Sequence, residues 1–331
     1  MGAGGRRVFL TGATGLIGGS LARLLAARGD QLVCLVRDTA RGRALEKLGA
    51  EIVQGDINDD IALRRGFDGA ELAYHVAGLY DTGVVDEGAL ERVNVDGTRA
   101  FLQFAAHARV PRAVYVSTAV ALGPTDSDAA EDNVWQGPFP SVYHRTKTHA
   151  HRLAAEAQVR GLPLVNVCPT FVIGPDDSGP AGRFINDLVH RRLPGLLSRP
   201  ATFSYVHVDD VAMGLVSTGE LGRAGTTYVL GGERATVNDF AGRVCALAGV
   251  KPPRLRFPTA MARVGGRSLD VVSRLSRVRF SLSRENVDVA CCRPWAPGWQ
   301  RAATELNYAP RRLDDVLPEV VDWYRRRRSS T

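Results

Sequence analysis

The 331-residue chain has no run of 18 or more apolar residues, so no membrane-spanning helix is expected. Cysteine is scarce, with five residues at 34, 168, 245, 291 and 292. None forms a C-x-x-C pair, and the odd count with adjacent Cys291 and Cys292 reads as reduced thiols, not as a disulfide frame or a zinc site. Nor is there a charged and apolar leader: Met1 to Arg7 is short and glycine-rich and meets the first apolar run almost at once, so no signal peptide and a cytoplasmic location are expected. The net charge of +7 comes with arginines through the C-terminal third, ending in Arg325 to Arg328, but with no nucleic-acid-binding module. The plain account is a solvated basic surface, with an acidic cofactor or substrate, or weak attraction to anionic lipid, left open. Hydrophobic content of 45% and this length suit one large α/β domain or a large domain with a smaller appendage.

What is present begins at Val8 to Gly19, VFLTGATGLIGG. Val8, Phe9 and Leu10 read as a buried strand, Thr11 to Gly15 as a turn, and Leu16 to Leu25 as a helix by the spacing of its apolar residues. Gly12, Gly15 and Gly18 follow G-x-x-G-x-x-G, one residue longer in its first gap than the common dinucleotide fingerprint. The first two let the backbone turn and approach a pyrophosphate, and the third lets helix and strand pack closely. The helix N-terminus then offers free N–H groups to negative charge.

Further strands are expected at Gln31–Val36, 50–57, 72–76 and 114–117, each separated from the next by helical or loop sequence, which predicts a parallel sheet. At the tip of the second stand Arg37, Asp38, Arg41 and Arg43. An acidic residue there would accept a ribose hydroxyl, whereas guanidinium groups suit a 2′-phosphate. The cluster therefore favours NADP(H), with NAD(H) through Asp38 as the alternative. Asp56, closing the third strand, is either an adenine acceptor or a turn former. Ala77 and Gly78 would let backbone lie beside a cofactor, while His75 reads as a packed core histidine. Asn94, in NVDGT ahead of a helix from Thr98 to about 108, is either a helix-start residue or a contact near a nicotinamide.

Tyr143 and Lys147 stand at i and i+4 on a predicted helix and so share a face. A nearby ammonium favours the phenolate and is expected to bring the tyrosine toward neutrality, fit to exchange a proton with a carbonyl or alcohol oxygen. Thr118, 25 positions earlier at the end of the fifth strand, supplies a hydroxyl to the same oxygen.

TGATGLIG, GDI, HVAG, NVDGT, VSTAVALG, YHRTK, PTFVIGP and VHVDDVA occur in an order that resembles the extended short-chain dehydrogenase/reductases, the epimerase/dehydratase superfamily. With the closing ELNYAP…LDDVLPEVVDWY segment, the chain is most similar to the dihydroflavonol-4-reductase-like branch, which also holds hopanoid-associated sugar epimerase-like and 3β-hydroxysteroid dehydrogenase-like proteins. The resemblance implies a Rossmann-type doubly wound parallel sheet, with residues 1–175 and later segments near 204–230 binding NAD(P) and 176–331 mainly binding substrate. It implies a catalytic Thr118, Tyr143 and Lys147, with Ser117 as the fallback hydroxyl. The cofactor set it implies comprises Gly12, Thr14, Gly15, Leu16, Ile17, Arg37, Asp56, Ile57, Val76, Ala77, Gly78, Asn94, Ser117, Tyr143, Lys147, Pro169 and Val172, with no metal.

The implied activity is transfer of a hydride between NADP(H) and a carbonyl or alcohol carbon. The alternatives are a nucleotide-sugar epimerase holding NAD, with Arg183, Arg191, Arg192 and Arg199 as diphosphate donors, and a non-catalytic cofactor sensor. Ala119, where a dehydratase usually carries an acid, argues against dehydration. Tyr80, Val84, Val85, Trp135, Phe139 and Phe171 suggest an apolar or aromatic small-molecule substrate. His207, Asp209 and Asp210 superficially suggest a metal, but their spacing is wrong for zinc and a structural brace is expected.

Helices are also expected near 184–191, from Thr236 to Ala248, over 261–278 and over 319–326. The third carries apolar residues at 261, 264, 269, 271, 272, 275 and 278 with arginines at 263, 267, 274 and 277, and reads as a cleft cover or, more sharply, an in-plane membrane contact. A monomer or homodimer is expected.

Overall fold

The computed structural model describes residues 5–80, 86–276, 283–291 and 293–327. Of the residues singled out above, Val84, Val85, Arg277, Val278, Cys292 and Arg328 lie outside them.

Among the described residues twelve strands follow in chain order: β1 Arg7–Thr11, β2 Gln31–Val36, β3 Glu51–Gln54, β4 Leu72–His75, β5 Ala113–Val116, β6 Leu164–Pro169, β7 Phe171–Ile173, β8 Gly195–Leu197, β9 Thr202–His207, β10 Thr227–Leu230, β11 Glu233–Thr236 and β12 Leu255–Phe257. Seven form one sheet in the order β10-β6-β5-β4-β1-β2-β3, and every pair in it is parallel. Parallel strands are covered on both faces, which is why they read in sequence as unbroken apolar runs. Successive residues of β1 divide between two cores accordingly. Val8 and Leu10 join Leu21, Leu25, Val211 and Leu215 on one face; Phe9 joins Phe67, Phe101, Ala150 and Ala154 on the other. Chain order reverses between β1 and β4, so the carboxyl ends of these strands open a crevice there.

The remaining strands form a three-stranded sheet, β11-β9-β7, and a two-stranded one, β12-β8. A third core, with Ile173, Ile185, Phe203, Tyr205, Phe240, Leu317 and Val320, holds this part together. Among the described residues no helix is long and apolar enough to cross a membrane; Cys34, Cys168 and Cys245 are free thiols, and all three are buried, as is Cys291.

Three helix boundaries depart from the sequence reading. The helix expected near 184 begins at Pro180, where proline suits the first position. The last helix begins at Leu313, not Glu319, and runs through Pro318; burial of Leu313, Val316, Leu317, Val320, Val321 and Tyr324 outweighs the lost backbone bond. Finally, the helix Gly97–His107 is preceded by a π turn, Arg92–Asp96, that widens the backbone around Asn94.

Candidate active site

The carboxyl ends of β1, β2, β4, β5 and β6 line one groove of about 1280 Å³. At its first end the turn after β1 is possible only with glycine. Gly12 has φ +76°, and a Cβ there would sit 2.5 Å from the Ala77 nitrogen; at Gly18 a Cβ would meet the Gly12 oxygen at 2.1 Å. The Gly15 nitrogen donates to the Gly12 oxygen at 3.0 Å. Gly15 also begins the helix Leu16–Ala27, whose first turn has no side-chain cap and no acidic residue. Such an end favours an anion.

At the tip of β2, the Arg37 guanidinium lies 3.9 Å from an Asp56 carboxylate oxygen. Arg41 donates to the Thr14 carbonyl at 3.4 Å. Asp38 is occupied, since its carboxylate accepts from the Ala40 nitrogen at 2.9 Å and caps the next helix. Arg37 and Arg41 line the groove together with Arg23; Arg43 does not. Asp56 accepts from the Asn58 backbone nitrogen at 3.1 Å.

Of the cofactor residues expected from the sequence, all but Asn94 line the groove. Asn94 is 1% exposed. Its side chain accepts from the Leu79 nitrogen at 2.8 Å and donates to the Leu79 oxygen at 3.0 Å and the Thr146 hydroxyl at 3.2 Å. It therefore neither starts a helix nor faces the groove; it ties the loop after β4 to the helix Val142–Val159. His75 is a core residue as expected, bonded to Thr11 at 2.8 Å and Thr98 at 3.1 Å, with burial pushing its imidazole down to about 3.

The helix Val142–Val159, capped by Ser141, brings Tyr143 and Lys147 to the same groove wall. The two hydroxyls after β5 part ways. Ser117 turns into the protein and pairs with His151 Nδ1 at 2.9 Å, whereas Thr118 lines the groove with Tyr143, and its hydroxyl opposes the effect of burial on the phenol. Thr118 also accepts from the Val120 nitrogen at 3.3 Å.

The expected acidification of the phenol does not appear. Burial pushes Tyr143 up to about 12, with the Thr118 hydrogen bond as the opposing influence. Lys147 is 5% exposed and aims its ammonium at the Val116 carbonyl, 3.1 Å, and the Tyr115 hydroxyl, 3.3 Å. Burial brings it down to about 8.

Beyond Tyr143 the groove has an apolar and aromatic wall of Tyr80, Val120, Phe171, Phe203, Val289 and Trp295, with Asp176, Asp177, Glu319 and Arg327 also on its lining. The Tyr80 and Tyr143 rings lie 4.6 Å apart. Trp135 and Phe139, expected in the lining, stand behind it, Trp135 packing 5.5 Å from Trp295. Phe203 and Trp295 were not singled out from sequence; an isolated β-bridge brings the two together. None of Arg183, Arg191, Arg192 and Arg199 is among the described residues lining the groove.

The His207 segment braces the fold. Asp210, 1% exposed, receives the Arg311 side chain at 2.7 Å and its backbone nitrogen at 3.1 Å. His207 accepts from the Asp209 nitrogen at 3.2 Å, and Asp209 receives the Ser20 hydroxyl.

The chain matches the family model described as the NAD dependent epimerase/dehydratase family over residues 8–231. It is 31% identical over 328 residues to sterol demethylase protein B of Methylococcus capsulatus, covering 96% of this chain and 98% of that one. It is 28% identical over 334 residues to a putative dihydroflavonol 4-reductase of Synechocystis, covering 96% and 94%. Among solved structures, a nucleoside-diphosphate-sugar epimerase from Pseudomonas aeruginosa matches with a TM-score of 0.76 at 25% identity, covering 97% of each chain.

Proposed function

The chain belongs to the NAD-dependent epimerase/dehydratase family, is an NAD(P)-dependent enzyme of the extended short-chain dehydrogenase/reductase type, and, on that premise, we propose that it reduces a ketone or aldehyde of an apolar or aromatic small molecule with NADPH. The observation that carries the proposal is the Thr118–Tyr143 pair, set between a glycine-built anion cradle and a largely aromatic wall of the same groove.

The cradle fits a dinucleotide. Gly12 and Gly18 already hold backbone so close that no Cβ fits, and their turn opens onto a helix N-terminus that suits a pyrophosphate. Gly12, Thr14, Gly15, Leu16 and Ile17 would hold the phosphates, and Asp56, Ile57, Val76, Ala77 and Gly78 the adenosine side and the middle. Ser117, Lys147, Pro169 and Val172 would flank the nicotinamide end. Arg37 and Arg41 support a 2′-phosphate over a bare ribose, the more so because Asp38 is engaged in capping. Bound there, a reduced nicotinamide supplies the hydride.

The protein's own part is proton transfer and orientation. A phenol pushed up to about 12 stays protonated through the neutral range, so Tyr143 is stocked to give a proton to a carbonyl oxygen. That favours reduction as the working direction. The Thr118 hydroxyl would fix the oxygen beside it, and Lys147 would donate toward the ribose. Residues 1–175 with segments near 204–230 would then serve the cofactor, and 176–331 mainly the substrate.

None of the four arginines that would serve an epimerase's diphosphate lines the groove, although Arg327 does. The test is to titrate NADPH and NADH by fluorescence, then screen ketones and aldehydes for NADPH consumption. The expected result is NADPH bound about tenfold more tightly, as charge-assisted contacts imply, with turnover on apolar or aromatic carbonyls. NAD that co-purifies and resists dialysis would replace the reductase with the epimerase.

A further inference from the structure

The helix Thr259–Ser276 carries its apolar stripe on the outside. At about 100° per residue, Met261, Val264 and Val271 fall on one side. They are exposed by 59%, 62% and 56%. The opposite side, which packs on the helix Arg284–Ala290, is small or polar. Ala262 is buried beside Val287 and Cys291, and Arg263 pairs with Asp288. Asp270 accepts from the Arg284 nitrogen at 3.2 Å, and a Cβ on Gly266 would lie 2.6 Å from that same nitrogen. A helix that packs on its protein ordinarily does the reverse.

The exposed face continues into basic surface. Leu255, on the strand that leads into the helix, is 56% exposed, and Lys251, Arg254, Arg256 and Arg267 are exposed around it. Asp270 is the one acidic residue between positions 251 and 276, and its carboxylate is turned inward. Large exposed apolar residues also occur elsewhere among the described residues, for example Ile61 and Val159, and a scattered one is ordinary.

We propose that this face docks on an anionic lipid bilayer, with the helix in the headgroup plane, its valines and methionine in the acyl boundary and its arginines on the phosphates. A second copy fits less well, because a symmetric contact would set the four cations against their own images. Docking places the groove beside the lipid, since Asn286 and Val289 of the underlying helix line it. The proposal stands on the surface alone and survives any outcome for the reaction.

The test is co-sedimentation of the full chain with phosphatidylcholine vesicles, with and without phosphatidylglycerol, at low and high salt. Binding is expected to the anionic vesicles and to fall as salt rises. Arg254→Gln with Arg256→Gln should lower partitioning about fivefold per residue removed. Val264→Ser with Val271→Ser should lower it about tenfold or more. Both double variants should keep the parent's melting temperature and NADPH titration, which separates lost docking from lost folding. Equal recovery with and without anionic lipid, or variants that bind like the parent, would overturn the proposal. So would a concentration-dependent dimer in sedimentation equilibrium that both variants dissolve, because the face would then belong to a second copy.

Discussion

The two ends of the groove are built from different materials. At the nucleotide end the contacts are made by backbone: a strand, three glycines and a helix start, contiguous from Arg7 to Ala27 and fixed by φ angles and the absence of Cβ atoms. At the substrate end they are made by side chains from Tyr80, Val120, Phe171, Phe203, Val289 and Trp295, which span more than half the chain and meet only through the small sheet and its bridges. The first construction tolerates little change and binds what the whole family binds. The second can be exchanged residue by residue without disturbing the first, so a common cofactor site coexists with relatives of different names.

If that separation is real, removing the proton donor should ruin one end and spare the other. Tyr143→Phe is expected to lower kcat for carbonyl reduction by about 10²- to 10⁴-fold, the usual worth of a positioned acid. The NADPH dissociation constant should move by no more than a few-fold. Normal turnover in the variant would show that another group supplies the proton. A comparable loss of NADPH affinity would show that the phenol belongs to both ends.

Lys147 sits on the seam and sharpens the comparison from the side of stability. Its ammonium is buried, and with its pKa brought from 10.5 to about 8, keeping it charged at pH 7 costs the fold about 3 kcal/mol. Lys147→Met removes that cost along with the bonds to Val116 and Tyr115, worth about 1 kcal/mol; the Tyr115 hydroxyl still has the Thr98 and Ser117 hydroxyls to favour it. The variant should therefore be inactive yet more stable by about 2 kcal/mol below pH 8, read by chemical denaturation. The sign follows from proton counting. Between pH 8 and 10.5 the unfolded chain holds the proton that the folded one has released, so the parent gains stability as pH rises and the gap closes. Activity of the parent should fall over the lower part of the same range. A variant less stable than the parent at pH 7 would mean that the ammonium's bonds outweigh its burial.

The same division explains what could be read from the sequence. β2 and the strand cores, the glycine turn and the Tyr143–Lys147 face are local patterns, and each stands where its residues put it. Asn94 departs from the sequence expectation because a π turn has no residue signature; its side chain bonds the backbone of Leu79, fifteen positions away, and the Thr146 hydroxyl. Trp295 reaches the groove by bridging Phe203 and Thr125, a pairing no window of sequence contains. The phenol departs from the expected acidity because burial, a property of the assembled fold, raises its pKa and the spacing of Tyr143 and Lys147 does not reveal that burial. Arg43 is a different case. Residues two apart on a helix point away from each other, so Arg41 and Arg43 could not both face the turn, and only Arg41 reaches Thr14.

That leaves Arg37 and Arg41 to decide between the two nucleotides, and the smallest of the expected effects tests how far the backbone-built end depends on side chains at all. Arg37 is exposed and, among the described residues, paired with Asp56 at 3.9 Å, so Arg37→Gln should leave folding unchanged and lower NADPH affinity by about tenfold, the worth of one charge-assisted contact. NADH affinity should stay within about twofold, because the glycine cradle and the helix N-terminus do not involve the guanidinium. The ratio of the two dissociation constants, measured by fluorescence titration of parent and variant side by side, reads the difference directly. An unchanged ratio would take the 2′-phosphate away from Arg37 and leave Arg41 to carry it. Equal losses for both nucleotides would show that a side chain helps shape the cradle itself, and the contrast between a backbone-built end and a side-chain-built end would fail at its strongest point.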